Sequence, residues 1–269
     1  MTAWETVGAS VDSTAASLTT FTQTVGMTGQ STTVRNTALG SKVNLEATWA
    51  EAAHLCIARI RSPRLHDNVQ GIRYQVPAAT PANLMGYRPE TPLVPQDTLV
   101  TEVADGTSEY VSQFLQIAYG SLPGSDGNFL PYSQVEPRIV DIMTQEATPG
   151  NPTAAGQWSA GVALNSSFDL MKANTWYALL GYVVSVQAGA IAIQGPDTGG
   201  LKVGGPGLLN ALETREWFLW MDEYAEEPAI PVINSANKAG TFVYLADSAT
   251  ANAAVVDLLF AELKGSTLS

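Results

Sequence analysis

The sequence echoes itself. Residues 241–263, TFVYLADSATANAAVVDLLFAEL, slide onto residues 98–118, TLVTEVADGTSEYVSQFLQIA, by one constant offset and without a gap. Thr241 falls on Thr98, Val243 on Val100, Thr250 on Thr107, Leu258 on Leu115, Phe260 on Ile117 and Ala261 on Ala118. Each stretch reads as two strands about a turn, at 247–252 in the later one, because apolar runs are bounded by Asp, Ser, Thr and Asn. A second echo precedes this one in the same order, IARIRSP at 57–63 against AIAIQGP at 190–196. Strand-rich sequences share a vocabulary, so the echoes have a bland reading. The other reading is two copies of one β-domain in a single chain, which would set the architecture twice over.

The remaining sequence keeps a strand rhythm. Residues 35–76 alternate loosely up to 49 and strongly at 56–61 and 71–76. Residues 77–97 hold five prolines and form a long connection; residues 120–127, GSLPGSDG, are a turn cluster. A short amphipathic segment follows at 136–144, then residues 146–156, EATPGNPTAAG, with the composition of an inter-domain linker. The second half offers strands at 157–164, 176–186 and 190–194, a glycine-rich loop at 195–207 around a brief Leu201-Lys202-Val203 strand, and a strand and turn at 230–237. Residues 216–224, EWFLWMDEY, carry large apolar side chains on both parities and are expected as a strand buried on both faces. Many short strands, Gly/Pro/Asn turns and almost no long 3.6-residue period indicate an all-β sandwich.

Residues 1–34 stand apart, rich in Thr, Ser and Ala and without Lys or Arg. Trp4, Val7, Val11, Thr14, Leu18, Phe21 and Val25 recur every three to four positions, which would align them on one helical face, although Thr is a poor helix former. Either this terminus frays, or it is an N-terminal arm that orders on docking to a neighbouring subunit or a lipid surface. In the second case Trp4, Val7, Val11, Leu18, Phe21 and Val25 are the contact residues.

Charge bounds the partners. Charged residues are 14% of the chain, against about 25% in ordinary globular domains, so much of the surface is expected to lie under partner subunits. The net charge of −12 excludes a general surface for nucleic acid or anionic membrane, and no sequence-specific nucleic-acid binding is expected. Against that background Arg59, Arg61, Arg64, Arg73 and Arg88 form a cluster, with Arg59 and Arg61 on one strand face. A solvated face, or pairing with acids of a neighbouring subunit, accounts for them; a patch directed at genome or lipid headgroups is the alternative. The lone Cys56 excludes an internal disulfide and any multi-cysteine metal site. No basic-then-apolar leader opens the sequence and no apolar run reaches about 18 residues, so a soluble chain with no secretory address is expected.

Chemistry finds little support. GPDTGGLK at 195–202 resembles a phosphate loop only loosely: the spacing before Lys202 is wrong, and Val203 stands where a metal-binding Ser or Thr is needed. His54 and His66 are the only histidines, too few for a typical metal-dependent hydrolase; GxSxG is absent, and the adjacent Glu226 and Glu227 would diverge on a strand. No catalytic, cofactor-binding or metal-ligating residue is assigned, and no enzyme is expected.

With its paired elements, 57–63 with 190–196 and 98–118 with 241–261, the chain resembles the double-jelly-roll major capsid proteins of tailless icosahedral viruses, notably bacterial and archaeal viruses with an internal membrane. The resemblance covers roughly residues 35–265. It implies an arm at 1–34 and two tandem jelly-roll β-sandwich domains at 35–148 and 149–269. It further implies a homotrimer that acts as a pseudo-hexameric capsomer, made in the host cytoplasm and located in the virion. Its partners would be neighbouring capsomers, minor capsid or penton proteins and, through the arm, an internal lipid membrane. The rival expectation is a carbohydrate-binding or surface-array β-sandwich protein, for which Trp158, Trp176, Trp217 and Trp220 could supply stacking faces.

Overall fold

The structure, a computed structural model, describes residues 2–13, 19–20, 27, 30–52, 54–62, 69–76, 91–104, 109–167, 169–207, 212–225, 227–247 and 254–265. The first half contributes β1 (Ala3–Ser13), β2 (Thr19–Thr20), β3 (Val43–Glu51), β4 (Cys56–Arg61), β5 (Ile72–Val76), β6 (Thr91–Pro92), β7 (Val100–Ala104) and β8 (Glu109–Tyr119). They form two sheets, ordered β1-β8-β3-β6 and β2-β7-β4-β5. In β4 Cys56, Ala58 and Ile60 are buried while Ile57 is exposed and Arg59 and Arg61 partly so, the period of two of a strand with one solvated face. These inward positions meet Val7, Val11, Leu45, Val103, Leu115 and Ile117 in the core between the two sheets. Strand β8 behaves differently: every residue from Val111 to Tyr119 is buried, so both faces of its sheet are covered.

The second half contributes β9 (Phe129–Leu130), α1 (Tyr132–Val135), β10 (Ile139–Ala147), β11 (Gln157–Trp158), β12 (Val162–Ala163), β13 (Trp176–Val184), β14 (Ala188–Gln194), β15 (Val203–Gly207), α2 (Leu212–Arg215), α3 (Trp217–Tyr224), β16 (Ile230–Asn234), β17 (Phe242–Asp247) and β18 (Val256–Leu263). Its sheets are ordered β10-β18-β13-β16-β9 and β11-β17-β14-β15, with β12 also on β17. Setting aside β9 and β12, the eight strands of this half follow one another in the chain and pair in the same order as β1 to β8. All described strand pairs are antiparallel.

The echoes fall on equivalent strands. Aligning Ile57 with Ala190 makes the β4–β7 pairs, from Ile57↔Ala104 to Arg61↔Val100, coincide one for one with the β14–β17 pairs from Ala190↔Ala246 to Gln194↔Phe242. The last strands also match. The β3–β8 ladder skips Glu46 between Ile117 and Gln116, and the β13–β18 ladder skips Leu180 between the echoed Phe260 and Leu259, so each carries a one-residue bulge at the same place. On β7 and β17 the same pairings set Val103 against Leu245. The ungapped matches Thr98/Thr241 and Val100/Val243 are therefore one residue out of step.

Five expectations change. Residues 3–13 are a strand of the first sheet rather than a helical face: covered on both sides, β1 buries Trp4, Val7 and Val11 irrespective of parity, which imitates a helical spacing. Residues 217–224 are helix α3 rather than a strand, and its buried residues Trp217, Phe218 and Met221 lie at i, i+1 and i+4. The amphipathic segment at 136–144 is a 3₁₀ turn, Glu136–Arg138, leading into β10, which pairs with β18. The linker region overlaps β10 at its start and ends at Gly156, whose carbonyl accepts a hydrogen bond from Ser10 Oγ at 2.9 Å. The glycine-rich loop is a 3₁₀ turn, Pro196–Thr198, followed by Gly199 and Gly200 at φ 67° and 74°, left-handed values that a Cβ would disfavour.

Candidate functional site

The two halves pack against each other through a buried junction. On the β1-β8-β3 sheet, Trp4, Thr6, Phe114, Gln116, Ala118, Ala47 and Trp49 point away from the first core, and all are buried. They meet the outer side of the β11-β17-β14-β15 sheet, where Ala190, Ala192 and Gly204 are small enough to admit them. Trp49 stacks on Phe114 with centroids 5.4 Å apart and meets Trp217 edge-on at 6.1 Å; Phe114 meets Trp158 edge-on at 6.0 Å. Gly189 allows the close approach, since a Cβ there would lie 3.0 Å from the Phe114 ring and 2.6 Å from Glu51 Oε2.

Each indole N–H at this junction has an acceptor, as buried tryptophans require. Trp4 donates to the Pro228 carbonyl, Trp49 to Gly189 and Trp158 to Gln30 Oε1, all at 2.8 Å, and Trp217 donates to Gly204 at 3.1 Å. Thr6 ties the halves through its backbone N–H, donating to Lys202 O at 2.7 Å, and its hydroxyl, which accepts from Gly204 N at 2.9 Å. Lys202 holds its ammonium 4.3 Å from the Tyr244 ring centroid and donates to Gln194 Oε1; burial lowers its pKa. Buried Asp197, in the glycine-rich loop, accepts from Asn128 Nδ2, Asn234 N and Asn237 Nδ2 at 2.8–3.1 Å. This loop is a structural anchor.

The two sheets at the ends of the stack keep an outer face free of the junction. On β4, β5 and β7 that face carries Ile57 (46% exposed), Arg59, Arg61, Arg73 and Glu102. Glu102 accepts from Arg59 Nε at 2.5 Å and Arg61 Nε at 2.9 Å. Burial pushes its pKa up, but the two guanidiniums outweigh that and hold it below the ordinary value. On β10 and β18 the face carries Val140 (59% exposed), Ile142 (48%), Thr144, Glu146, Asp257 and Leu259. Arg64 and Arg88 lie outside the described residues, so the cluster is represented by Arg59, Arg61 and Arg73.

A cleft of about 470 Å³ is lined by Tyr132, Glu216, Leu219, Trp220, Asp222 and Glu223. Trp220 stacks on Trp217 at 5.3 Å, while Asp222 is engaged by the backbone N–H groups of Tyr132 and Ala229. Of the candidate stacking tryptophans, Trp158 and Trp217 are buried in the junction, and Trp176 and Trp220 are half-buried. Among the described residues, no three His, Cys, Asp or Glu side chains converge to hold a metal ion. His54 is exposed, Cys56 is buried, and His66 and Glu226 lie outside the described residues. Of the expected arm contacts, Trp4 faces the second half and Val7 and Val11 the first core; Leu18, Phe21 and Val25 lie outside the described residues. Trp49, Phe114, Gly189 and Gly204 were not singled out from sequence; the mixed polar and apolar residues of 111–119, with no clean alternation, were the available signal.

No family model matches the chain, and no curated protein matches it. Solved structures give distant likenesses. The PBSX exported protein XepA is 12% identical, with a TM-score of 0.25 over 96% of this chain and 85% of that one. The STIV major capsid protein is 11% identical, with a TM-score of 0.23 over 96% of both chains, and the major capsid protein P2 of bacteriophage PM2 is 9% identical, with 0.20 over 98% of both. At such TM-scores these likenesses carry no argument about function.

Proposed function

We propose that this chain is a structural coat protein: two jelly rolls in tandem, with bounds near residues 3–119 and 129–263, three copies of which form a six-lobed building block of an icosahedral virus shell. Two features support the jelly-roll assignment, the strand order 1-8-3-6 over 2-7-4-5 and its repetition in the second half. A jelly roll is two packed sheets of this Greek-key kind.

The observation that carries the assembly is the direction of the internal contact. The outer side of one kind of sheet, β1-β8-β3-β6, packs on the outer side of the other kind, β11-β17-β14-β15. That is a head-to-tail contact between similar units, and it leaves one unmatched face of each kind at the ends of the chain. Head-to-tail contacts between similar units close into rings when the rotation permits. Three chains contribute six lobes. Low charge content and the exposed Ile57, Val140 and Ile142 suit faces that become covered. Lateral contacts are assigned to these end faces, because Trp4, Val7 and Val11 are buried within their own chain. The role needs no cofactor and no catalytic residue, and its location is the virion.

Light scattering on the purified native chain, with negative-stain imaging of the same fraction, tests this. A mass of three chains, and hexagonal particles, sheets or shells, are expected. A monomer across concentration and salt would rule the reading out. The cleft at Tyr132 and Trp220 is where the carbohydrate reading would then be pursued, by titrating glycans against tryptophan fluorescence.

A further inference from the structure

The two end faces carry like-charged residues in direct cross-strand register, with opposite sign. On the outer face of β4 and β5, Arg59 stands opposite Arg73. On the outer face of β10 and β18, Glu146 stands opposite Asp257. Like charges directly opposite on one sheet face are destabilising by themselves. Glu102 offsets part of the first group, leaving three described arginines to one described carboxylate on that face.

The strand equivalence shows how these groups would meet. In the ladder β5-β4-β7, Arg73 pairs with Arg59 and Arg59 with Glu102; in β15-β14-β17 the same positions are Gly204, Ala192 and Tyr244. On the other kind of sheet, Thr6 pairs with Gln116 and Gly8 with Phe114, where β10 and β18 have Thr144 with Leu259 and Glu146 with Asp257. Thr6 and Gly204 are in hydrogen-bond contact at the junction. Repeating the same packing between chains would therefore set Arg73, in the place of Gly204, against Thr144, in the place of Thr6. Glu146 is the next outward residue on β10, about 7 Å further along the strand, within the span of an arginine side chain.

We propose that the β4–β5 face of one copy docks on the β10–β18 face of a second copy, with the Arg59/Arg73 pair lying over the partner's acidic pair and the exposed Ile57, Val140 and Ile142 covered around it. The inference rests on the coat-protein reading above and specifies its lateral contact. Such a contact steers association through complementary charge and weakens with salt.

Charge reversal tests it, because Arg73 and Glu146 are both exposed and their replacement leaves the cores intact. Native mass would be compared for wild type, R73E, E146R and the double variant, with circular dichroism melts to verify folding. The expected result is a trimeric wild type, single variants shifted to monomer at the same concentration, and a double variant that re-forms the trimer. Folded single variants that stay trimeric would overturn this contact and leave the coat-protein reading standing, as would a double variant that stays dissociated. A wild type that is monomeric throughout would overturn both.

Discussion

Trp49→Ala is expected to lower the unfolding free energy by about 5 kcal/mol. Truncating a fully buried tryptophan costs about 3–5 kcal/mol through lost transfer energy and the cavity left behind. Trp49 is 0% exposed and lies between Phe114 and Trp217, with ring contacts on both. The substitution also strips the Gly189 carbonyl of its indole donor, and a buried acceptor left without a partner costs about 1–3 kcal/mol. Against a total of about 5–15 kcal/mol for a typical domain, this is a large fraction. Trp49→Phe separates the contributions: it restores much of the ring packing but not the N–H, so a loss smaller than that of Trp49→Ala is expected. Urea titration at neutral pH, followed by circular dichroism and extrapolated linearly, gives both values. An unchanged midpoint for Trp49→Ala would mean that the two halves are not joined through this aromatic cluster.

Glu102→Gln is expected to destabilise the chain by about 3 kcal/mol at neutral pH, the lower part of the range for removing one partner of a buried ion pair. The lower part applies because the Arg59 and Arg61 side chains remain 11% and 23% exposed. Acid should act on the same group. The carboxyl pKa is held down in the folded chain, despite burial pushing it up, by hydrogen bonds from Arg61 and Arg59 and by their charge. Above the unfolded pKa, about 4.3, the group is ionised in both states and its stabilising contribution is complete. As pH falls from there through the lowered folded value, the unfolded chain takes up the proton first and the contribution is lost. The wild type should therefore lose more stability between pH 7 and pH 3 than the Gln variant does. Parallel losses in the two chains would show that the Arg59–Glu102–Arg61 group does not act as a charge cluster.

Much of the strand framework was legible because its signals are local. Cys56–Arg61 alternates as a strand with one solvated face must, and the apolar run that opens the later echo forms β17; of the turn expected at 247–252, Asp247 ends β17 and the rest lies outside the described residues. The echo between 115–118 and 258–261 was in register down to the bulge opposite it. The matches at Thr98 and Val100 came one residue out, because short β-strands offer many chance identities and the one residue more between β17 and β18 than between β7 and β8 is invisible without the pairing. The arginine cluster was also legible as a face, since residues two apart on a strand point the same way. Which faces lay under another sheet was not.

What the sequence determined by itself was the strand-rich class and the low charge content, properties of composition and short-range order; the twofold plan was one of two readings of the echoes, and the repeated strand order decided between them. What the tertiary structure decided was the use of each face. A strand covered on both sides shows no alternation, so β1 imitated a helix while β8 hid the junction face of Phe114 and Gln116. The aromatic run at 217–224 fits either a doubly buried strand or a helix, and its helical packing against β13 and β16 settled the matter. Burial on a second face depends on residues more than a hundred positions away, as with Trp49 and Gly189 or Thr6 and Gly204, and no local pattern encodes a contact at that separation.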